Sequence, residues 1–136
     1  MDLHMLGAPG THVFTAVPPG APQQAPPTLV LARRDAPATL FTALYAPFEN
    51  GQPVVHSIEA LAETPDAVAV RIRGVLPDGS PLHDIILLAM RDQAGEETTL
   101  SRDGTFSASF TGHAVMRPET LQHTGNLREF DYNFQD

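Results

Sequence analysis

Apolar and polar positions alternate along this chain in short runs, and the most informative sit between Pro27 and Ala62. There Leu29 and Leu31 alternate with Val30 and Ala32, and Leu40, Thr42 and Leu44 alternate with Phe41, Ala43 and Tyr45. Both sets contain apolar side chains, as in strands covered on both faces or bent around a core. Arg33-Arg34-Asp35-Ala36-Pro37 and Pro47-Phe48-Glu49-Asn50-Gly51 separate the runs. Proline cannot donate to a sheet ladder and Asn-Gly accepts positive φ cheaply, so these segments read as turns.

The same pattern extends in both directions. Leu3–Leu6 and His12–Val17 read as strands around a Gly7–Gly10 turn, followed by a proline-rich loop over Pro18–Pro27. Leu29–Arg34, Ala38–Pro47 and Val54–Leu61 are the next strands. Ala67–Arg73 then sets Val68, Val70 and Ile72 against Ala69, Arg71 and Arg73, which predicts an apolar face and a basic face. Pro77-Asp78-Gly79-Ser80 supplies hairpin-turn chemistry before the return strand His83–Met90. Gln93–Glu97 reads as a turn, Thr98–Leu100 and Thr105–Phe110 as strands, and Ala114–Arg117 as a further short one. Arg128–Phe134 places Phe130, Tyr132 and Phe134 on one side of a half-buried last strand. Only Ser57–Glu63 offers a turn of helix, against the strand-like Val54-Val55 start. About ten antiparallel strands of uneven length predict an all-β, two-sheet sandwich rather than a small barrel. No internal repeat is visible.

The wording of these strands resembles the C-terminal β-sheet region of the heparinase II/III-like polysaccharide lyases. The resemblance rests on Leu29–Arg34, a strand ending in basic residues, and on Ala38-Thr39-Leu40-Phe41-Thr42-Ala43-Leu44-Tyr45-Ala46-Pro47. A polar turn at Glu49–Gly51 and the strand Val54–Leu61 follow in the family's order. Asp2-Leu3-His4-Met5-Leu6-Gly7 is similar to the family segment carrying an aspartate and a histidine before a Gly-containing turn. These pieces are structural wording and contain no catalytic signature. The resemblance implies a β-sandwich that supports a helical catalytic domain elsewhere in the same parent chain. The parent would cleave uronate-containing polysaccharide by β-elimination and be periplasmic or secreted; a free-standing chain would be cytoplasmic.

Composition narrows the partners. The 136 residues suit a single domain with a core, at 42% hydrophobic content. The net charge is −8 and every basic residue is arginine. An acidic surface repels phosphate backbones, so nucleic acid is not an expected partner. No apolar run approaches a membrane span, and the N-terminus shows no basic-then-apolar leader, so no membrane association is expected. There is no cysteine, hence neither disulfide nor thiolate metal site.

Candidate chemistry is sparse. No cofactor is expected. Asp2, His4 and His12 are the one set that a zinc or calcium ion can use, if their strands pair across the turn; some members of the resembled family place a His/Asp metal site in the sheet region. His83 and Asp84 are adjacent on a strand, so their side chains point to opposite faces and make no acid–base dyad. His56 reads as a half-buried sheet histidine, and His113 and His123 as solvated loop residues. β-Elimination needs a group to neutralise the carboxylate, a base and an acid, and tyrosine often serves. Tyr45 reads as packing within its apolar run, and Tyr132 as part of the aromatic stripe or a sugar-stacking platform. Arg71, Arg73 and Arg91 can gather near the Pro77–Ser80 hairpin and touch an acidic polysaccharide, or else form a solvated face opposite Asp84, Asp92 and Glu96. Phosphate loops, nucleophile elbows and zinc helices are absent. The expected role is non-catalytic, with a free-standing carbohydrate-binding or assembly module as the alternative.

Overall fold

The computed structural model describes residues 2–20, 29–37, 39–46, 48–49, 51–90 and 95–133. Those residues form twelve strands and no helix. They are β1 (Asp2–Met5), β2 (Thr11–Ala16), β3 (Leu29–Arg34), β4 (Ala43–Ala46), β5 (Phe48–Glu49) and β6 (Gln52–Pro53), then β7 (Val55–Glu63), β8 (Ala67–Val75), β9 (Pro81–Ala89), β10 (Glu97–Arg102), β11 (Phe106–Arg117) and β12 (Gln122–Tyr132). All pairings are antiparallel. The expected all-β class is therefore observed. Ser57–Glu63, the segment with a trace of helical pattern, is strand β7.

Contacts divide the chain into two compact units. Residues 2–6 and 42–133 form the first, and Gly7–Phe41 forms the second. The first is built on a curled, sandwich-like six-stranded sheet in which β7, β8 and β9 form one meander and β10, β11 and β12 another. Strand β11 joins them. Along one edge it pairs with β12 from Phe106↔Tyr132 to Arg117↔Gln122. Its other edge is shared, with β10 taking the first half and β9 the second, at His113↔Leu88 to Met116↔Ile85.

That sharing demands a bend, and a bulge provides it. Thr111 pairs with Asn126 and Ala114 with Gly125, so Gly112 and His113 have no counterpart across β12. A bulge adds twist and redirects the strand. Gly112 (φ 69°) and Gly125 (φ 79°) both lie in the left-handed region. A Cβ on Gly125 would collide with the His113 carbonyl oxygen, so a glycine is required at this corner. The sequence pattern predicts two strands here, Thr105–Phe110 and Ala114–Arg117; the structure has one, β11, with Gly112-His113 as a corner within it.

The curl brings β10 back against β7 and β8. Its inner face holds the core: Leu61, Ala67, Ala69, Ile85, Leu87, Leu100, Phe106, Ala108, Phe110 and Ala114. Phe130 and Tyr132 pack against this cluster, with Phe106 edge-on to Phe130 at 6.0 Å and to Tyr132 at 6.5 Å between ring centroids. The aromatic stripe of the last strand is thus an inner wall, and Phe134 lies outside the described residues. Val68, Val70 and Ile72, on the other face of β8, are buried as well. Also in this unit, β1 pairs with β4, and Leu6 N–H donates to Thr42 O at 3.1 Å. β5 and β6 form a small hairpin.

The second unit is the β2–β3 hairpin and its flanks. Arg34 organises it. Its Nε donates to Thr11 Oγ1 at 2.8 Å, and its Nη1 to Thr39 Oγ1 at 2.6 Å and to Leu40 O at 3.2 Å, while its guanidinium lies 4.9 Å from the Phe41 ring centroid.

Candidate functional site

Alternation on β8 puts Arg71 and Arg73 on the face of Ala67 and Ala69. The pairs Arg71↔Ile85 and Arg73↔His83 show that this face looks into the curl, not outward. The expected solvated basic face is thus an inner one: the Arg71 side chain is only 13% exposed. Its Nη1 donates to Tyr132 Oη at 2.6 Å, and its Nη2 forms a short ion pair with Glu59. Glu59 also lies 3.7 Å from Arg102 Nη1. Strands β7, β8, β10 and β12 therefore contribute polar side chains to one inner cluster.

His83 shares this face. It is buried, and its Nδ1 lies 2.5 Å from Glu119 Oε1 in the turn between β11 and β12. Its ring also meets Tyr132 edge-on at 6.0 Å. A guanidinium, a phenol and an imidazole thus converge, which are the group types that proton transfer beside a carboxylate needs. Each of Arg71 and His83, however, is held by a carboxylate of the same chain. The arrangement ties strands together and fixes one register of the curled sheet.

Asp84 follows the opposite course, as strand geometry requires. It lies on the outer face, where Arg117 donates to it twice, Nε to Oδ1 at 2.8 Å and Nη2 to Oδ2 at 3.1 Å. The hydrogen bond to Asp84, and then its charge, raise the Arg117 pKa above its ordinary value. This fork–fork pair sits between two depressions. One, of about 280 Å³, is lined by Leu44, Tyr45, Val55, Ile72, Leu82 and Asp84, among others. The other, of about 160 Å³, is lined by Asp84, Val115, Arg117, Gln122, His123 and Thr124.

The remaining sequence candidates are dispersed. His4 pairs with Leu44 and His12 with Arg33, because β1 takes β4 as partner and β2 takes β3. The strand pairing that would have set His4 and His12 opposite each other does not form. No group of metal-ligating side chains occurs among the described residues. Arg91 and Asp92 lie outside those residues. His56 is exposed rather than half-buried, and His113 and His123 are exposed but on strands rather than loops. Tyr45, expected to pack, is 66% exposed.

Sequence reasoning missed Glu59, Glu119 and Arg117. Glu59 carried a signal, since a carboxylate one strand away from Arg71 is a natural cross-strand partner. Arg117 carried none, because its meeting with Asp84 depends on the β9–β11 register. No helix among the described residues is long and apolar enough to cross a membrane. No protein-family model, no curated protein and no solved structure matches this chain.

Proposed function

We propose that this chain is a non-catalytic β-sheet domain of a heparinase II/III-like polysaccharide lyase. Its task is to support a helical catalytic domain of the same parent chain, which cleaves uronate-containing polysaccharide by β-elimination. The lyase assignment rests on the wording of Pro27–Ala62. The non-catalytic assignment rests on one observation: Arg71, His83 and Tyr132 face inward and bond within the sheet, Arg71 to Glu59 and Tyr132, His83 to Glu119. A base and an acid for β-elimination must instead meet the substrate.

Two measurements test the proposal. The isolated chain should give no unsaturated uronate from acidic polysaccharides by ultraviolet absorbance, whereas product that disappears in Tyr132→Phe would overturn the non-catalytic reading. A reading frame that continues upstream of Met1 through a long helical segment supports the lyase parent, and a stop codon there sinks it.

A second reading, an assembly module, is favoured by the apolar surface of the β2–β3 hairpin, where Phe14 is 54% and Leu31 64% exposed. Concentration-dependent association in sedimentation, lost in Leu31→Glu, would support it.

A further inference from the structure

We infer that the outer face around Asp84 and Arg117 is a binding groove for a neutral, hydroxyl-rich glycan, with two adjacent sugar subsites. That the ligand is a carbohydrate rests on the lyase reading above; the location rests on the geometry, and the preference for a neutral glycan on charge.

The first subsite is the depression beside Tyr45. Its walls are mostly aliphatic, and Asp84 is its one charged lining residue among the described residues. Such a site, apolar with few convergent polar groups, is the common form of a small-ligand pocket. A pyranose ring is amphipathic in the matching way: its C–H face needs an apolar or aromatic surface, and its rim of hydroxyls needs donors and acceptors. Tyr45 supplies a solvent-exposed aromatic ring there.

The Asp84–Arg117 pair supplies the polar part. Both Asp84 oxygens accept from the guanidinium, which fixes the carboxylate in place. Each carboxylate oxygen keeps further acceptor capacity, and the guanidinium has donors beyond the two used here. A rigid acceptor beside a rigid donor is what two neighbouring hydroxyls require. The pair is only partly screened, with the Asp84 side chain 18% and that of Arg117 45% exposed.

The second subsite begins at the same pair and continues over Gln122, His123 and Thr124. Two depressions that meet at Asp84, with Arg117 lining the second, suit consecutive residues of an oligosaccharide.

Charge selects the class. Arg117 is already neutralised by Asp84, and the chain as a whole carries −8. A polyuronate would meet a compensated fork on an acidic protein, whereas a neutral glycan avoids that repulsion.

The test is a site-resolved NMR titration of the whole chain with cello-, manno- and xylo-oligosaccharides and with a mannuronate oligomer. Saturable amide shifts at Tyr45, Asp84, Arg117 and Thr124 are expected with at least one neutral oligomer. Tyr45→Ala should weaken that binding about tenfold, a loss of about 1.4 kcal/mol, while Tyr45→Phe retains it. The exposed position of Tyr45 leaves the fold intact in both variants, which an unchanged shift pattern at Phe110 and Leu87 verifies. No saturable shift in the groove with any neutral oligomer overturns the inference. So does binding indifferent to Tyr45→Ala, or a preference there for mannuronate. Failure in the groove beside a parent enzyme that still yields unsaturated uronate would remove this inference alone. Shifts in the groove beside a parent without lyase product would remove the lyase reading alone.

Discussion

The β8–β9 hairpin and the β2–β3 hairpin are both antiparallel pairs with apolar side chains on both faces, yet the first is largely buried, Val75 and Leu88 at 41% excepted, and the second lies in water. On β8 and β9, Ala67, Val68, Ala69, Ile85 and Leu87 are at most 1% exposed. On β2 and β3, Val13 is 55%, Phe14 54% and Leu31 64% exposed. The difference lies in the neighbours. β8–β9 is flanked by β7 and β11 and roofed by the curl, whereas β2–β3 is a two-stranded sheet. A lone hairpin buries little, whatever its composition. Apolar alternation thus sets which side chains share a face, and further strands decide whether that face leaves water.

Four experiments sharpen or break this contrast. The largest effect is expected in the core: Phe110→Ala should cost about 3–5 kcal/mol in chemical denaturation, since Phe110 is fully buried, while Leu31→Ala should stay within about 0.5 kcal/mol. Equal losses at the two positions would show that the hairpin is covered in solution. Next comes the corner. Gly125→Ala should destabilise by roughly 3 kcal/mol, because the new methyl meets the His113 carbonyl and Gly125 has positive φ; an unchanged denaturation midpoint would mean that the bulge relaxes freely.

Smaller still is the contrast between two arginines. Arg71→Ala removes the partner of Tyr132 and Glu59 inside the curl and should cost about 1–3 kcal/mol. Arg33→Ala breaks an ion pair whose side chains are 69% and 73% exposed and should cost under about 0.5 kcal/mol. Thermal denaturation of both variants decides whether burial or pairing matters.

The smallest effect is pH-dependent. Ser80 donates to Asp78 Oδ1 from its hydroxyl at 2.5 Å and from its amide at 2.9 Å. These bonds, the hydroxyl one foremost, hold the Asp78 pKa below its ordinary 3.8. The ionised form therefore favours the folded turn. Its contribution is complete above pH 3.8 and fades as pH falls through the lower folded value. The protection factor of the Ser80 amide, its exchange rate relative to an unstructured amide at the same pH, should fall only in that acid range; protection that persists there would remove Asp78 from the turn's stability.

Much of this was legible in the chain. The β8–β9 hairpin was, because Pro77–Ser80 states its turn, Ala67–Arg73 alternates before it and His83–Met90 returns as an apolar run. The class followed from the density of such turns. The direction of Arg71 was not, since both faces of β8 are buried and alternation alone cannot say which of them holds the polar cluster. Tyr45 escaped in the opposite sense: an apolar setting in sequence became an exposed rim. The Asp84–Arg117 pair escaped because register between distant strands is a tertiary fact.

The shared edge of β11 also bears on how the chain acquires its shape. Each meander, β7-β8-β9 and β10-β11-β12, is made of sequence-local hairpins, which close quickly because their loops are short. In the backbone ladder they are joined at the β9–β11 seam, from His113↔Leu88 through Met116↔Ile85. Closing that seam costs the largest loop entropy in the sheet, so it is where the folding barrier belongs. The Gly112–His113 corner, which aims β11 at β9, then governs how fast the two halves unite as well as how they sit once united.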